Sequence, residues 1–126
     1  MANILFIEPD KGLSKTYVQA FEHVGHIIRI AATAEEAIMM ADEQQPDVVV
    51  MELQLAGHNG IAFLHEFRSY GDWITTPVII NTYITPVIMA QAKKVLKTDL
   101  GVTAILYKPQ TSLQRLISAV NEQVRP

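Results

Sequence analysis

PDVVVMELQLAG (46–57) runs an unbroken apolar stretch into a loop carrying glycine. Residues 47–53 read as a strand covered on both faces, because no polar residue alternates with the apolar ones. Such strands belong to sheets flanked by helices on both sides. At the end of this strand stands a carboxylate, Glu52, where an open α/β sheet carries its ligands. Whether Glu52 reacts, binds, or imitates a modified residue is the question the rest of the chain has to answer.

Working outward, the same alternation recurs. Upstream, Thr33 and Glu36 have the spacing of a capping box and predict a helix over 34–44 that ends before Pro46. Before it, HIIRIA (26–31) reads as a strand. A helix over 12–24 places Leu13, Tyr17, Ala20, Phe21 and Val24 on one face and stops at Gly25. NILFI (3–7) is the first strand and runs into Glu8, Pro9 and Asp10. Downstream, a helix near 60–69 turns Ile61, Leu64 and Phe67 inward. PVIINT (77–82) is the fourth strand, and a helix within 85–101 is opened by Pro86. VTAILY (102–107) is the fifth strand, closed by Lys108-Pro109, and a last helix covers about 112–124. Five β-α units with short connections predict one doubly wound domain over 1–126 with helices on both faces of the sheet. It has a five-stranded parallel sheet and five helices.

Composition narrows the function. A chain of 126 residues, 49% hydrophobic, is long enough for a full core. Ten Lys and Arg against thirteen Asp and Glu leave a net charge of −3, which gives no field for nucleic acid or an anionic membrane. No cysteine is present, so disulfides and thiolate chemistry are excluded. His23, His26, His58 and His65 lack metal-ligand spacing and read as scattered surface histidines. MANILFIEPD has neither the basic segment nor the apolar core of a signal peptide. No apolar run approaches the roughly 20 residues of a membrane span. The expectation is a soluble cytoplasmic protein.

The fold brings the carboxyl ends of strands one, three, four and five to one edge. Those ends carry Glu8 with Asp10, Glu52, Thr82 with Tyr83, and Lys108. Acids, a hydroxyl and an ammonium in one crevice suit a phosphoryl group and a divalent metal.

ILFIEPD, PDVVVMELQLAGHNG, PVIINT and YKP together make the chain resemble the receiver domain of two-component response regulators, over essentially its whole length. The resemblance implies a flavodoxin-like fold with strand order 2-1-3-4-5. It also implies an aspartate after strand three that takes a phosphoryl group from a histidine kinase, and Mg²⁺ held by acids after strand one. Glu52 falls at the phospho-acceptor position, Thr82 at the hydroxyl position and Lys108 at the lysine position. Gly60 matches the glycine of the loop after strand three, and Asn59 the acid that often precedes it.

The departures point away from phosphorylation. Glu52 replaces the family's aspartate, and its extra methylene pushes the carboxylate outward by about 1.5 Å. In-line phosphoryl transfer depends on positioning, and an error of about 1 Å costs on the order of 10²-fold. The longer arm reaches toward Lys108 and resembles a fixed copy of the phosphorylated state. Pro9 stands where the family has a second acid, and it offers neither carboxylate nor N–H. Asp10 either swings into the acidic pocket or serves the first turn of the helix. Mg²⁺ binding is expected to be weak or absent, with no cofactor. Ile105 occupies the position of the family's switch aromatic and is expected to pack statically. Tyr83 either covers the entrance to the acid or stacks on a neighbouring surface.

The expected function is that of an atypical receiver, or pseudo-receiver. It is not an enzyme and has no catalytic residue; it signals by binding a protein partner independently of phosphorylation. The resemblance implies a partner surface of helix four, strand five and helix five, a second copy of the chain included. Val87, Ile88, Met89, Val95 and Leu96 exceed the needs of one buried stripe, and leave open either an exposed patch or a thoroughly buried helix. The alternative is a working receiver that accepts phosphate in a phosphorelay. A third class, an unrelated α/β nucleotide binder, is opposed by EPDKGLSK, which lacks the spacing of a phosphate loop.

Overall fold

The computed structural model describes residues 1–55 and 58–124. Strands β1 (Asn3–Ile7), β2 (Ile27–Ala31) and β3 (Val48–Met51) are followed by two short strands, β4 (Gln54–Leu55) and β5 (His58–Asn59). Strands β6 (Val78–Thr82) and β7 (Val102–Tyr107) complete the set. β2-β1-β3-β6-β7 form one five-stranded sheet, with every neighbouring pair parallel. The helices are α1 (Lys11–His23), α2 (Ala34–Glu43), α3 (Gly60–Ser69), α4 (Pro86–Lys94) and α5 (Leu113–Gln123). The architecture is the five-stranded, five-helix parallel fold expected from the sequence, with β6 and β7 as its fourth and fifth strands.

The period of two along each strand divides the core. Leu5, Ile7, Val49, Met51, Val78 and Ile80 face α2, α3 and α4. Ile4, Phe6, Val48, Val50 and Ile79 face α1 and α5. Phe6 stacks on Tyr17 and meets Phe21 edge-on. Each such side chain, once fully buried, contributes about 1.5–3 kcal/mol relative to exposure.

The helix starts are set by side-chain oxygens. Asp10, Thr33, Asn59 and Ser112 each accept from the backbone N–H three residues on, which satisfies a donor that the first turn leaves free. Thr33 takes the Glu36 N–H as the capping box predicts, but Glu36 reaches back to the Ala32 N–H instead. α4 has Pro86 at its start and passes into a π turn, Val95–Asp99.

Three details differ from the sequence reading. The third strand stops at Met51, because the N–H groups of Leu53 and Gln54 turn to the Glu52 carboxylate and leave the ladder. The loop beyond it holds the antiparallel pair β4-β5, and Ala56 and Gly57 of QLAGHNG lie outside the described residues. His26 is buried rather than superficial. Its Nδ1 accepts from the Ala2 N–H at 3.1 Å, so its proton sits on Nε2, facing Asn121 Oδ1 at 2.8 Å.

At the N-terminal edge of the sheet, Arg68 of α3 ties loops together. Its guanidinium donates to the carbonyls of Leu100, Trp73 and Thr76 at 2.9, 2.6 and 2.7 Å. Register places the opposite edge. Ile7 pairs with Met51, Met51 with Ile80, and Thr82 with Tyr107. The residues just beyond these pairs, Glu8, Glu52, Tyr83 and Lys108, therefore converge.

Candidate functional site

Glu52 leaves the sheet with its N–H donating to the Ile7 carbonyl at 3.0 Å. That bond fixes its backbone beside β1, and the side chain turns across the sheet edge toward β6 and β7. One carboxylate oxygen, Oε2, accepts from the Leu53 N–H at 2.7 Å and the Gln54 N–H at 3.1 Å. It also accepts from the Thr82 hydroxyl. The other, Oε1, accepts from the Tyr83 N–H at 3.1 Å and from Lys108 Nζ at 2.9 Å. The carboxylate is thus held by three backbone amides, a hydroxyl and an ammonium, with only 3% of the residue exposed.

Lys108 lies between two acids. Its Nζ reaches Glu8 Oε1 at 2.7 Å and Glu52 Oε1 at 2.9 Å. The Tyr83 ring lies over the same Nζ, 4.5 Å from the ring centre, which places the cation against the negative face of the ring. Of the two readings of Tyr83, the ring covers the site, while about half of the residue stays exposed. Thr82 is fully buried. Its oxygen also accepts from the Ile84 N–H at 3.1 Å, so the hydroxyl proton is directed to Glu52.

The electrostatics follow from this packing. Burial pushes the Glu52 carboxyl up, but the Thr82 hydroxyl, the Gln54 amide and the Lys108 ammonium outweigh it and hold the carboxyl below its ordinary value. Burial likewise pushes the Lys108 ammonium down, and the contacts with Glu8 and Glu52 reverse this and raise it. The two buried acids thus share one ammonium.

The structure brings Glu8, Glu52, Thr82 and Lys108 together, but not Asp10. The Asp10 carboxylate is exposed and accepts from the Leu13 N–H at 3.0 Å; it caps α1 and takes no part in the acidic pocket. Pro9 explains the separation: it lacks an N–H and fixes φ, so the chain turns outward and Asp10 enters the helix cap. Its N–H still donates to Glu8 Oε2 at 3.1 Å. Ile105 is half-buried and packs on the core. It also lines a groove of about 240 Å³ between α4 and β7 with Ile84, Met89 and Lys93. Asn59 acts as the cap of α3, accepting from the Ala62 N–H at 2.8 Å. Gly60 is required by close approach: a Cβ there would meet Leu53 Cα and Met51 Cε at 2.8 Å.

Reading side chains alone passes over the backbone donors from Leu53, Gln54 and Tyr83, since every residue carries an amide. The length of the Glu52 arm, which lets its carboxylate curl back over the following amides, is the one available signal. Glu8 as the second partner of Lys108 was open to inference from its place at the end of β1.

Mg²⁺ needs a near-octahedral set of oxygens. Here both buried carboxylates close on the Lys108 ammonium, and Asp10 is committed to the helix cap. Among the described residues no group of three His, Cys, Asp or Glu side chains is arranged to hold a metal. This donor set does not fit the ion. Nor, among the described residues, is any helix long and apolar enough to cross a membrane.

Comparison with known proteins agrees with this geometry. The family model for the response regulator receiver domain matches residues 4–121. The KDP operon transcriptional regulatory protein KdpE of Escherichia coli is 26% identical over 109 residues, covering 86% of this chain and 45% of that protein. The transcriptional regulatory protein PmrA of Pectobacterium parmentieri is 28% identical over 124 residues, covering 93% of this chain and 51% of that protein. The chain therefore spans about half the length of these relatives. Among solved structures, the chemotaxis response regulator CheY4 of Vibrio cholerae superposes with a TM-score of 0.84 at 20% identity, covering 98% of this chain and 99% of that one. A two-component response regulator from Clostridium difficile gives 0.84 at 25% identity, covering 99% and 97%.

Proposed function

Because the chain belongs to the response regulator receiver domain family, we propose that it is a receiver whose acceptor site is closed by its own Glu52, and that it signals by binding a protein partner without being phosphorylated. The observation that carries this reading is the saturation of the Glu52 carboxylate. Its two oxygens take the Thr82 hydroxyl, the Lys108 ammonium and three backbone amides. The hydroxyl and the ammonium are the groups that a phosphoryl group on a receiver would engage. Here they are engaged already, by a charge that is always present. Attack by the carboxylate on a phosphoryl donor would require those contacts to be released from a nearly dry pocket, with the Tyr83 ring above it.

In this reading the protein works without Mg²⁺, since its buried acids neutralise Lys108 instead of a metal. Information leaves through a protein partner on the surface of α4, β7 and α5. Val87 and Ile88 support that surface, with 81% and 60% exposure, while Met89 and Leu96 supply the buried side of the same segment. The Glu52–Thr82–Lys108 contacts hold the ends of β6 and β7 in one arrangement, and the role of the cluster is orientation more than net stability.

Intact-protein mass spectrometry after incubation with acetyl phosphate and Mg²⁺ tests the reading. The expected result is an unchanged mass. A gain of one phosphoryl group, absent in a Glu52→Gln variant, would establish a working acceptor and refute it.

A further inference from the structure

Asn59 and Gly60 sit side by side at the start of α3, and the pair has a chemistry of its own. In an Asn-Gly sequence the glycine backbone nitrogen can attack the asparagine side-chain carbon Cγ, because no Cβ shields the approach. The bond formed joins Gly60 N to Asn59 Cγ. The bond broken is Cγ–Nδ2, and Nδ2 leaves as ammonia with the proton from the Gly60 amide. Water then opens the five-membered imide at either carbonyl, leaving aspartate or isoaspartate where asparagine stood. Asn59 is exposed, so water reaches it, and whether the reaction runs is decided by geometry.

The fold opposes the attack at each atom involved. The Gly60 N–H donates to the Leu53 carbonyl at 2.7 Å, which holds the would-be nucleophile and its proton. Asn59 Oδ1 accepts from the Ala62 N–H at 2.8 Å, which holds the carboxamide over the first turn of α3. The Asn59 backbone is extended, with φ −87° and ψ 151°. Closing the imide ring requires Cγ and the Gly60 nitrogen on the same side of the Asn59 Cα–C bond, and this ψ sets them apart. Turning that bond would move Gly60, which packs so closely on Leu53 and Met51 that a Cβ would meet both at 2.8 Å. Leu53 is itself tied down, since its N–H donates to Glu52 Oε2 at 2.7 Å. One run of contacts therefore leads from the Glu52 carboxylate through Leu53 to the susceptible pair.

We propose that Asn59 is a modification site gated by this clamp. It is silent while Gly60 is seated on Leu53, and it converts to aspartate and isoaspartate when the connection between β3 and α3 opens. The two products differ in consequence. Aspartate keeps an oxygen for the Ala62 N–H and adds negative charge at the N-terminus of α3, where it is favoured. Isoaspartate carries the backbone through the side chain, adds a methylene to the main chain and unseats Gly60. The reaction thus records opening, and its isoaspartate product makes opening permanent. None of this depends on whether Glu52 accepts phosphate.

Peptide mapping by mass spectrometry, with isoaspartate resolved from aspartate by chromatography, reads the conversion. The unmodified chain is incubated at mildly alkaline pH in buffer and in denaturing urea. Ammonia loss at Asn59 should be at least about tenfold slower in buffer than in urea. Glu52→Ala releases the Leu53 amide and should speed the reaction in buffer, with folding checked by circular dichroism. Glu52→Gln, which keeps the arm and loses its charge, should shift the rate in the same direction by less. Asn59→Asp should unfold at a urea midpoint no lower than the parent's. Equal rates in buffer and urea overturn the proposal. So does an Asn59 that stays intact in urea, or a folded-state rate indifferent to both Glu52 variants.

Discussion

Replacing Lys108 by Met keeps the apolar stem and removes the cation from between Glu8 and Glu52. Both acids are buried, and both bond the ammonium, at 2.7 and 2.9 Å. Breaking a buried ion pair from one side costs about 3–5 kcal/mol, because the remaining charge is left uncompensated. The low end applies here. Glu52 keeps Leu53, Gln54, Thr82 and Tyr83 as donors, whereas Glu8 keeps the Asp10 amide. The burden therefore falls on Glu8. We expect Lys108→Met to cost about 3 kcal/mol at pH 7. For 126 residues this lowers Tm by about 10 °C. Adding Glu8→Gln removes one of the two facing carboxylates and should recover at least about 1 kcal/mol. Urea denaturation of the two variants and the parent gives these values directly. If Lys108→Met costs less than about 1 kcal/mol, or Glu8→Gln deepens the loss, the cluster is not the charge-balanced unit described above.

The pH dependence has two signs. The Glu52 carboxyl is held below its ordinary value by Thr82, Gln54 and Lys108 against burial. Its stabilisation is therefore complete above about pH 4.3 and is lost as pH falls through the folded value. Lys108 is raised by Glu8 and Glu52 against burial, so its share is complete below about pH 10.4 and is lost as pH climbs through the folded value. Denaturation midpoints from pH 2 to 12 in the parent and in Glu52→Gln check this, the acid limb flattening in the variant. Gly60→Ala drives a Cβ into Leu53 and Met51 at 2.8 Å; it should cost about 1–3 kcal/mol and shift the Leu53 amide resonance. Arg68→Ala strips the donors from the Leu100, Trp73 and Thr76 carbonyls and should cost about 3 kcal/mol. Arg68→Lys should recover less than half in the same denaturation assay, since an ammonium lacks the planar fork.

The sheet was legible because its strands are apolar on both faces and the intervening helices have their own period, so NILFI and VTAILY fall on β1 and β7 as observed. The antiparallel β4-β5 pair was not, since two residues per strand carry no periodicity. The π turn after α4 was equally hidden, because VLKTD continues the helical pattern of the residues before it. At the site, side-chain type and strand end located Glu8, Glu52, Thr82 and Lys108. Asp10 was ambiguous because an acid after a first strand serves a pocket and a helix cap equally well in one dimension. His26 was misplaced at the surface because nothing in HIIRIA announces the Ala2 amide and Asn121 that the fold sets on either side of its ring.

The amide resonances of Leu53, Gln54 and Tyr83 report the central claim most directly, since these three N–H groups grip the Glu52 carboxylate. Nitrogen-15 spectra recorded before and after addition of Mg²⁺ and acetyl phosphate should superpose at all three positions. Concerted movement of these peaks, reversed when the phosphate donor is exhausted, would contradict a site closed by its own glutamate.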